Sequence, residues 1–184
     1  MEENGYLILK KQYLLRGWKG LEHGLIDGES RQAVFFPANV YDTLKMCNGR
    51  FEADSPIFVG RKEHLKAFSE HGLIESLDEP GMLLFKQEYK KYENRYIQMV
   101  HWSMTGHCNY RCRHCYMSAP RAILPEPDTE ECIRIIDEIA SCGIRLISLT
   151  GGEALIRKDF LFLVDYMLEK GIRIIMIMSN GALV

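Results

Sequence analysis

The sequence lacks any long hydrophobic run, and this absence limits the classes of protein to which it can belong. Although 47% of its 184 residues are hydrophobic, no run approaches the roughly 18 apolar residues that are needed to span a bilayer. The first residues, Met1 to Asn4, are acidic and lack the basic and apolar regions of a signal peptide. We therefore expect a cytoplasmic protein with no membrane partner.

An excess of charge of one sign is also absent, because 23 Lys and Arg stand against 25 Asp and Glu. A small net charge combined with a high apolar fraction excludes an intrinsically disordered chain. The 15 glycines and 6 prolines are ordinary numbers, which excludes a collagen-like or low-complexity protein. In the cytoplasm, the six cysteines are more typical of metal ligands or free thiols than of disulfides.

The region 1–85 predicts a small α+β domain with a winged-helix-like order of elements. Short apolar runs, at 6–9 and 21–26 among others, are separated by glycines and predict strands. Pro37 is suited to the first turn of a helix. The turn residues at 78–81 lie between two apolar runs and predict a terminal hairpin.

Residues 86–98 are polar and charged and predict a linker, whereas 99–184 has the alternation of an α/β domain. A capping box at Asp128 predicts the start of one helix, and Asp159 is placed to cap a second. Near-continuous apolar strands, such as 172–178, are typical of a parallel sheet that is covered on both faces.

Three of the six cysteines, Cys108, Cys112 and Cys115, have the spacing C-x3-C-x2-C in a polar loop after the first predicted strand. Three thiolates within eight residues can converge on one centre. Zinc with His107 or His114 as a further ligand is one alternative, although zinc sites usually come as two separated pairs. A disulfide with one free thiol, or unrelated buried cysteines, are others. The spacing favours an iron–sulfur cluster, and three ligands on a four-iron cluster would leave one iron open.

The same cysteines, followed at once by the aromatic Tyr116, resemble the defining motif of the radical S-adenosylmethionine (SAM) enzymes. That family has the motif in the loop after the first strand of a partial (β/α) barrel. The resemblance implies a [4Fe–4S] cluster that is held by Cys108, Cys112 and Cys115. It also implies SAM as a second cofactor, with Tyr116 near the adenine.

Gly151, Gly152 and Glu153 follow the second predicted strand, where such folds bind ligands. Glycines let a ligand approach the backbone, and a carboxylate can accept hydrogen bonds from an ammonium group. By itself the motif could also be an ordinary glycine-rich turn. The resemblance implies that these three residues contact the methionine amino group of SAM. Ser179 and Asn180, at the end of the third strand, are further candidates, with a plain turn as the alternative.

The resemblance also implies an activity. The amino and carboxylate groups of SAM would bind the open iron, and one electron from the reduced cluster would cleave the sulfonium C–S bond. Methionine and a 5′-deoxyadenosyl radical would result, and the radical would abstract hydrogen from a substrate. No catalytic residue beyond the cluster ligands is implied. An electron donor such as a flavodoxin or ferredoxin is expected.

The N-terminal region bears on the substrate. Residues 1–90 carry 12 Lys and Arg and 14 Asp and Glu, which disfavours nucleic-acid binding because phosphate neutralisation needs a basic face. An exposed strand edge could instead bind an extended peptide. In order and size, residues 1–85 are similar to the domain that precedes the barrel in several peptide-modifying members of the family, which implies a peptide or protein substrate and possible recognition of its leader peptide. A packing or dimerisation domain, a small-molecule substrate, and a non-catalytic iron–sulfur or zinc regulator with a nucleic-acid-binding N-terminal domain remain alternatives.

The length raises a further expectation. Only three strands are predicted in the 86 residues from 99 to 184, whereas a barrel of six to eight units would need about 170–225. We therefore expect an incomplete radical SAM core, the N-terminal portion of a longer enzyme, which would be inactive by itself.

Overall fold

The computed structural model describes residues 5–119 and 126–184. The chain divides into two compact units, Met1–Arg95 (unit 1) and Tyr96–Val184 (unit 2). The first four residues, on which the signal-peptide argument rests, lie outside the described residues. In the described part of the chain, no helix is long and apolar enough to cross a membrane.

In its described residues, unit 1 combines two small sheets with two helices. In chain order the elements are β1 (Tyr6–Leu9), β2 (Tyr13–Trp18), β3 (Leu21–Asp27), β4 (Ala33–Phe35), α1 (Ala38–Met46), β5 (Asn48–Glu52), α2 (Lys62–Glu70), β6 (Ile74–Leu77) and β7 (Lys90–Lys91). The strands form the orders β5-β1-β6 and β4-β3-β2-β7, and every pair is antiparallel except β2 with β7.

One apolar core joins both sheets of unit 1 to its helices. Pro37 directly precedes α1, as predicted, and contributes the backbone conformation that starts the helix. Residues three and four apart on each helix point to the same side, which brings their apolar members together. The buried members of this core are Leu7, Leu9, Leu15, Leu25, Tyr41, Leu44, Cys47, Phe58, Leu65, Phe68 and Ile74.

The predicted terminal hairpin is wrong. β6 pairs with β1 instead, and the chain then runs without a strand into a short 3₁₀ turn, Phe85–Gln87. The side chain of Gln87 is buried and donates to the carbonyl oxygens of Leu9 (3.2 Å) and Lys10 (2.9 Å). These bonds hold the segment against β1 and satisfy the buried amide, while Met82 and Phe85 of the apolar run remain 75% and 90% exposed.

The predicted linker 86–98 is for the most part a component of unit 1. The guanidinium of Arg16 donates to the carbonyl oxygen of Lys86 at 2.7 Å. Tyr92 is 4% exposed and stacks on Trp18 with ring centroids 5.3 Å apart. Polar composition suggested a solvated segment, but the side chain of Tyr92 is buried in unit 1, and the boundary between the units falls at residue 95.

The described residues of unit 2 form a three-stranded parallel sheet with two helices. The elements are β8 (Val100–Ser103), α3 (Thr129–Ser141), β9 (Leu146–Thr150), a 3₁₀ turn (Ala154–Ile156), α4 (Phe160–Glu169) and β10 (Arg173–Ile177). The strand order is β10-β9-β8, and both pairs are parallel. All five residues of β9 are buried, as expected for a middle strand covered on both faces.

The capping box that the sequence predicts at the start of α3 is confirmed. The carboxylate of Asp128 accepts from the backbone N–H of Glu131 (2.8 Å), and the Glu131 carboxylate accepts from the N–H of Asp128 (3.0 Å). The buried face of α3, through Cys132, Ile136 and Ile139, packs in one core with the strands and α4. Because both strand pairs are parallel, the carboxyl ends of all three strands lie at one edge of the sheet.

Candidate functional site

The cysteine-bearing loop leaves β8 and remains hydrogen-bonded to the segment that leaves β9. The backbone N–H of Gly152 donates to the carbonyl oxygen of Thr105 (2.8 Å), and the N–H of Glu153 donates to that of His107 (2.8 Å). The parallel pairing thus continues past the strands themselves. As a result, the two segments that the sequence singles out lie side by side, and we call this pairing the backbone strap.

The two glycines of the backbone strap are required because the two paired backbone segments approach each other closely. A side chain at Gly152 would place its Cβ 2.2 Å from the carbonyl oxygen of His107, and one at Gly151 would place it 2.5 Å from that of Thr105. Gly151 also has a φ of +146°, a conformation that favours glycine. The sequence predicted glycines that admit a ligand, but the group they admit in this structure is the backbone of the cysteine loop.

The three predicted ligands are accessible thiols on that loop. Cys108 and Cys115 are partly exposed, Cys112 is exposed, and none forms a disulfide. The sulfur of Cys108 accepts a hydrogen bond from the backbone N–H of Tyr110 (3.4 Å). Among the described residues, no three Cys, His, Asp or Glu side chains are gathered closely enough to hold a metal ion. The donor set suits an iron–sulfur cluster, and binding one requires the loop to draw its thiols together.

The carboxylate of Glu153, which the sequence predicts at the amino group of SAM, accepts hydrogen bonds from groups of the protein in this structure, and its contact with SAM stays a prediction. The residue is 0% exposed. One oxygen accepts from the N–H of Leu155 (3.2 Å), and the other accepts from the N–H of Asn180 (2.7 Å) and the hydroxyl of Ser179 (3.2 Å). A buried carboxylate needs such donors, because burial without them costs several kcal/mol, on the order of 2–7 for a polar group. The structure therefore joins Glu153 to Ser179 and Asn180, which the sequence could place only on separate strands.

The remaining predicted site residue, Tyr116, lies on the surface of the same loop. Its side chain is 80% exposed, so the ring is available to a ligand. The next residue, Met117, is anchored, because its sulfur accepts a hydrogen bond from the hydroxyl of Ser103 at the end of β8 (3.3 Å). The predicted adenine contact of Tyr116 stays a prediction.

Sequence reasoning missed Arg157, a buried residue whose guanidinium bonds several polar groups near the start of the cysteine loop. Its guanidinium donates to the carbonyl oxygens of Met104 (3.1 Å) and Pro127 (3.0 Å) and to the carboxylate of Glu126 (3.1 Å). The Glu126 carboxylate in turn accepts from the hydroxyl of Thr105 (2.7 Å). Arg157 therefore ties the start of the cysteine loop to the segment before α3. The only sequence signal was an arginine two residues before a helix-initial aspartate, which is common.

Comparison with known proteins identifies unit 2. Residues 102–184 match the family model described as the radical SAM superfamily. This part of the chain is a radical SAM domain. The family uses a [4Fe–4S] cluster and SAM, so the cofactors expected from the cysteine motif are confirmed for the family.

Several curated relatives share this radical SAM domain. The Fe-coproporphyrin III synthase of Methanosarcina barkeri is 36% identical over 121 residues, which cover 61% of this chain and 29% of that protein. The GTP 3′,8-cyclase 3 of Mycobacterium tuberculosis is 30% identical over 60% of this chain and 31% of its own. The mycofactocin maturase MftC of Mycolicibacterium smegmatis is 38% identical over 35% of this chain and 17% of its own. The matched segment thus spans less than a third of each relative.

The fold also resembles that of a solved structure over nearly the whole chain. SuiB of Streptococcus suis, bound to the precursor peptide SuiA, superposes with a TM-score of 0.56 at 13% identity. SuiB bound to SAM gives a TM-score of 0.58 at 14% identity. Both comparisons cover 97% of this chain and 43% of SuiB. At this identity the likeness concerns the fold, and it extends through unit 1 as well as the radical SAM domain.

Proposed function

We propose that this radical SAM domain serves an enzyme that modifies a peptide or protein, with Cys108, Cys112 and Cys115 as the ligands of a [4Fe–4S] cluster. The observation that carries the proposal is the backbone strap, which holds the first cysteine beside the carboxyl ends of the parallel strands. Ligands of parallel α/β folds bind at those ends. A cluster held by these three thiols would supply the electron for reductive cleavage of SAM.

The chain's own residues then have separate tasks. The three thiols hold the metal, and the glycine backbone at 151–152 is partly exposed at the strand ends, where the methionine part of SAM would lie. Tyr116 offers an exposed ring to the adenine. Glu153 holds the ends of β9 and β10 together from a buried position.

A peptide substrate is supported by two comparisons and by the surface of unit 1. One relative is a maturase, and SuiB was solved with a precursor peptide. β4 ends its sheet in the described part of the chain, with Val34 55% exposed, and can accept an added strand. A cavity of about 420 Å³ elsewhere in unit 1 is flanked by the exposed Met82 and Phe85 and by the basic Lys45 and Arg50. Glu88 also lines this cavity, so its surface suits a segment of a leader peptide with apolar side chains.

A small-molecule substrate is the second candidate. The Fe-coproporphyrin III synthase and the GTP cyclase match this chain over more residues than the maturase does. In either case the electron would come from a small donor protein such as a flavodoxin or ferredoxin. Nucleic acid and membrane remain unexpected partners on the balance of charge and the lack of an apolar run.

The cofactor assignment is tested by anaerobic reconstitution of the 184-residue chain with iron and sulfide. We expect about four irons per chain and an electron paramagnetic resonance (EPR) signal, after reduction, that changes when SAM is added. Each single Cys→Ala variant at positions 108, 112 and 115 should lose the cluster absorbance, whereas the matched variant Cys142→Ala should keep it. A cluster that survives in the loop variants, or one that ignores SAM, would contradict the proposal.

The substrate class is tested by following the hydrogen that is abstracted. Peptide and small-molecule fractions are prepared from source cells grown in deuterated medium. They are offered separately, with SAM and dithionite, to the reconstituted whole enzyme that contains this domain, because the 184-residue chain is expected to be inactive by itself. Deuterium in the 5′-deoxyadenosine from the peptide fraction supports a peptide substrate. Deuterium only from the small-molecule fraction would favour the second candidate. A cluster-loaded whole enzyme that never cleaves SAM would contradict both.

A further inference from the structure

The oxygen and the nitrogen of the Asn180 side-chain amide are both hydrogen-bonded, and these bonds determine the orientation of the amide. Its oxygen accepts from the backbone N–H of Ala182 (3.0 Å). Its nitrogen donates to the side-chain oxygen of Asn109 (2.8 Å) and lies 3.9 Å from the sulfur of Cys108. Because the oxygen is taken by an N–H donor, the NH₂ group must face the cysteine loop.

The backbone of Asn180 is hydrogen-bonded to the buried carboxylate of Glu153. Its backbone N–H donates to the Glu153 carboxylate at 2.7 Å, and that carboxylate has no exposed surface. Glu153 is in turn bonded through its own N–H to the carbonyl oxygen of His107, the residue before Cys108. The cysteine loop, the end of β9 and the end of β10 are therefore linked in a closed ring of hydrogen bonds.

We propose that Asn180 is a positioning residue for Cys108, acting through its amide nitrogen on the sulfur and on Asn109. The proposal rests on the proposed function and assigns Asn180 a task other than contact with SAM. A thiol at Cys108 can donate to the Asn109 oxygen, which lies 3.9 Å away. A metal-bound thiolate has no proton and only accepts, so the sulfur then takes its hydrogen bonds from the N–H of Tyr110 and the amide of Asn180.

Two measurable properties follow from this arrangement. A donor near a cluster sulfur stabilises the extra negative charge of the reduced state and raises the reduction potential. The bond between the two asparagines also restrains the loop, which slows the escape of iron. Both effects depend on the Asn180 amide, whereas Asn109 takes part only in the restraint of the loop. Removing Asn180 should therefore change both properties, and removing Asn109 should speed the escape of iron without lowering the potential.

The test is a double-mutant cycle on the reconstituted 184-residue chain with Asn109→Ala, Asn180→Ala and the double variant. Iron loss to an excess of a ferrous chelator should be about fivefold faster in each single variant, the effect of one ordinary hydrogen bond. The double variant should be no faster than either single variant, because partners in one contact are not additive. The midpoint potential from EPR-monitored titration should fall in Asn180→Ala.

An isosteric variant separates the donor from the shape of the side chain. Asn180→Asp keeps an oxygen for Ala182 but turns a carboxylate oxygen toward Cys108 and Asn109, so we expect faster iron loss and a lower potential than in Asn180→Ala. If the Asn180 variants do not fold, Asn109→Ala tests the same contact from the loop.

Three results would overturn the proposal. They are additive effects in the cycle, a midpoint potential that does not change, and an Asn180→Asp variant that behaves like the unmodified chain. An unmodified chain that takes up no iron contradicts the proposed function instead and removes the basis of this one. Failure of the cluster and failure of the Asn180 contact are therefore distinguishable.

Discussion

The guanidinium of Arg157 forms two hydrogen bonds with the carboxylate of Asp159, Nε to Oδ1 at 3.0 Å and Nη2 to Oδ2 at 2.8 Å. The Arg157 side chain is 5% exposed, and that of Asp159 is 19% exposed. Asp159 directly precedes α4, but its side chain makes no capping bond to the helix. The sequence predicted a cap there, and the arginine takes the carboxylate instead, because a two-bond ionic contact outweighs a single bond to an N–H.

Replacing Arg157 should destabilise unit 2 strongly. Arg157→Met leaves Glu126 and Asp159 without their cation, and breaking a buried ion pair in this way costs about 3 kcal/mol or more. Hydrogen exchange of β9, followed by mass spectrometry, should therefore accelerate by about two orders of magnitude. Lys158→Met, at the exposed neighbouring position, is the matched control and should leave the exchange unchanged. Equal exchange of β9 in both variants would show that Arg157 does not stabilise the sheet.

Lowering the pH should remove the contribution of the Asp159 carboxylate to the stability of unit 2. The Arg157 guanidinium, with a smaller part from the Thr129 hydroxyl, holds the pKa of this carboxyl below its ordinary value of 3.8. A lowered folded-state pKa gives stability that is present above the unfolded-state pKa and is lost as the pH falls through the folded one.

We therefore expect the difference in urea midpoint between the unmodified chain and Asp159→Asn to be constant from about pH 7 to 5 and to shrink below about pH 4. Circular dichroism provides the measurement. A difference that instead grows on acidification would have the wrong sign for a carboxylate held ionised by its partner.

A methyl group on Gly152 should force the backbone strap apart. The added Cβ would lie 2.2 Å from the carbonyl oxygen of His107, and relieving such an overlap costs about 1–3 kcal/mol. Gly171→Ala is the control for conformational strain alone, because Gly171 has a φ of +74° and open space around it. Only Gly152→Ala should increase hydrogen exchange at the N–H of Glu153. The same increase in the control would mean that strain, and not the close approach, explains the effect.

The stack of Tyr92 on Trp18 should be a stabilising part of unit 1. Tyr92→Ala empties a site that is 4% exposed, and truncating a buried aromatic residue costs about 3–5 kcal/mol. Exchange in β2 should accelerate, whereas Phe85→Ala, at a position that is 90% exposed, should have little effect. If Tyr92→Ala leaves hydrogen exchange in β2 unchanged, the prediction that this segment is a linker would be favoured instead.

Five of the six cysteines should divide into two groups by their reactivity toward an alkylating reagent. Burial raises the pKa of the Cys47 thiol to about 12 and also raises that of Cys132, so both carry little thiolate at pH 8. Iodoacetamide should label Cys47 and Cys132 in the metal-free chain only after urea is added. The three loop cysteines are exposed or partly exposed and should react in the folded protein. Peptide mapping by mass spectrometry resolves the sites, and early labelling of Cys47 would contradict its burial.

Local features carried the successful sequence predictions. The capping box at Asp128, the helix that starts after Pro37, and the three apolar strands of unit 2 each follow from residues close together in the chain. Helix capping and apolar periodicity are local effects, so they can be read without a partner. The cysteine spacing is of the same kind, and it identified the family that the comparison confirms.

Predictions that depended on distant partners fared differently. The apolar run at 82–85 suited a hairpin, but β1 supplies the partner of β6. The polar stretch from residue 86 suited a linker, but Trp18 covers its Tyr92. In both cases a residue far away in the sequence satisfied the hydrogen bonds or apolar surface, and composition alone does not show which segment will do so.

The sequence by itself determined the domain class, the three thiols and the two glycines, because each depends on residue type and short spacing. Only the tertiary structure decided what these residues do to one another. It shows that the glycines admit the cysteine loop and that Glu153 is buried under Asn180. A buried carboxylate must find its donors wherever the fold brings them, and here they come from a strand end 27 residues away.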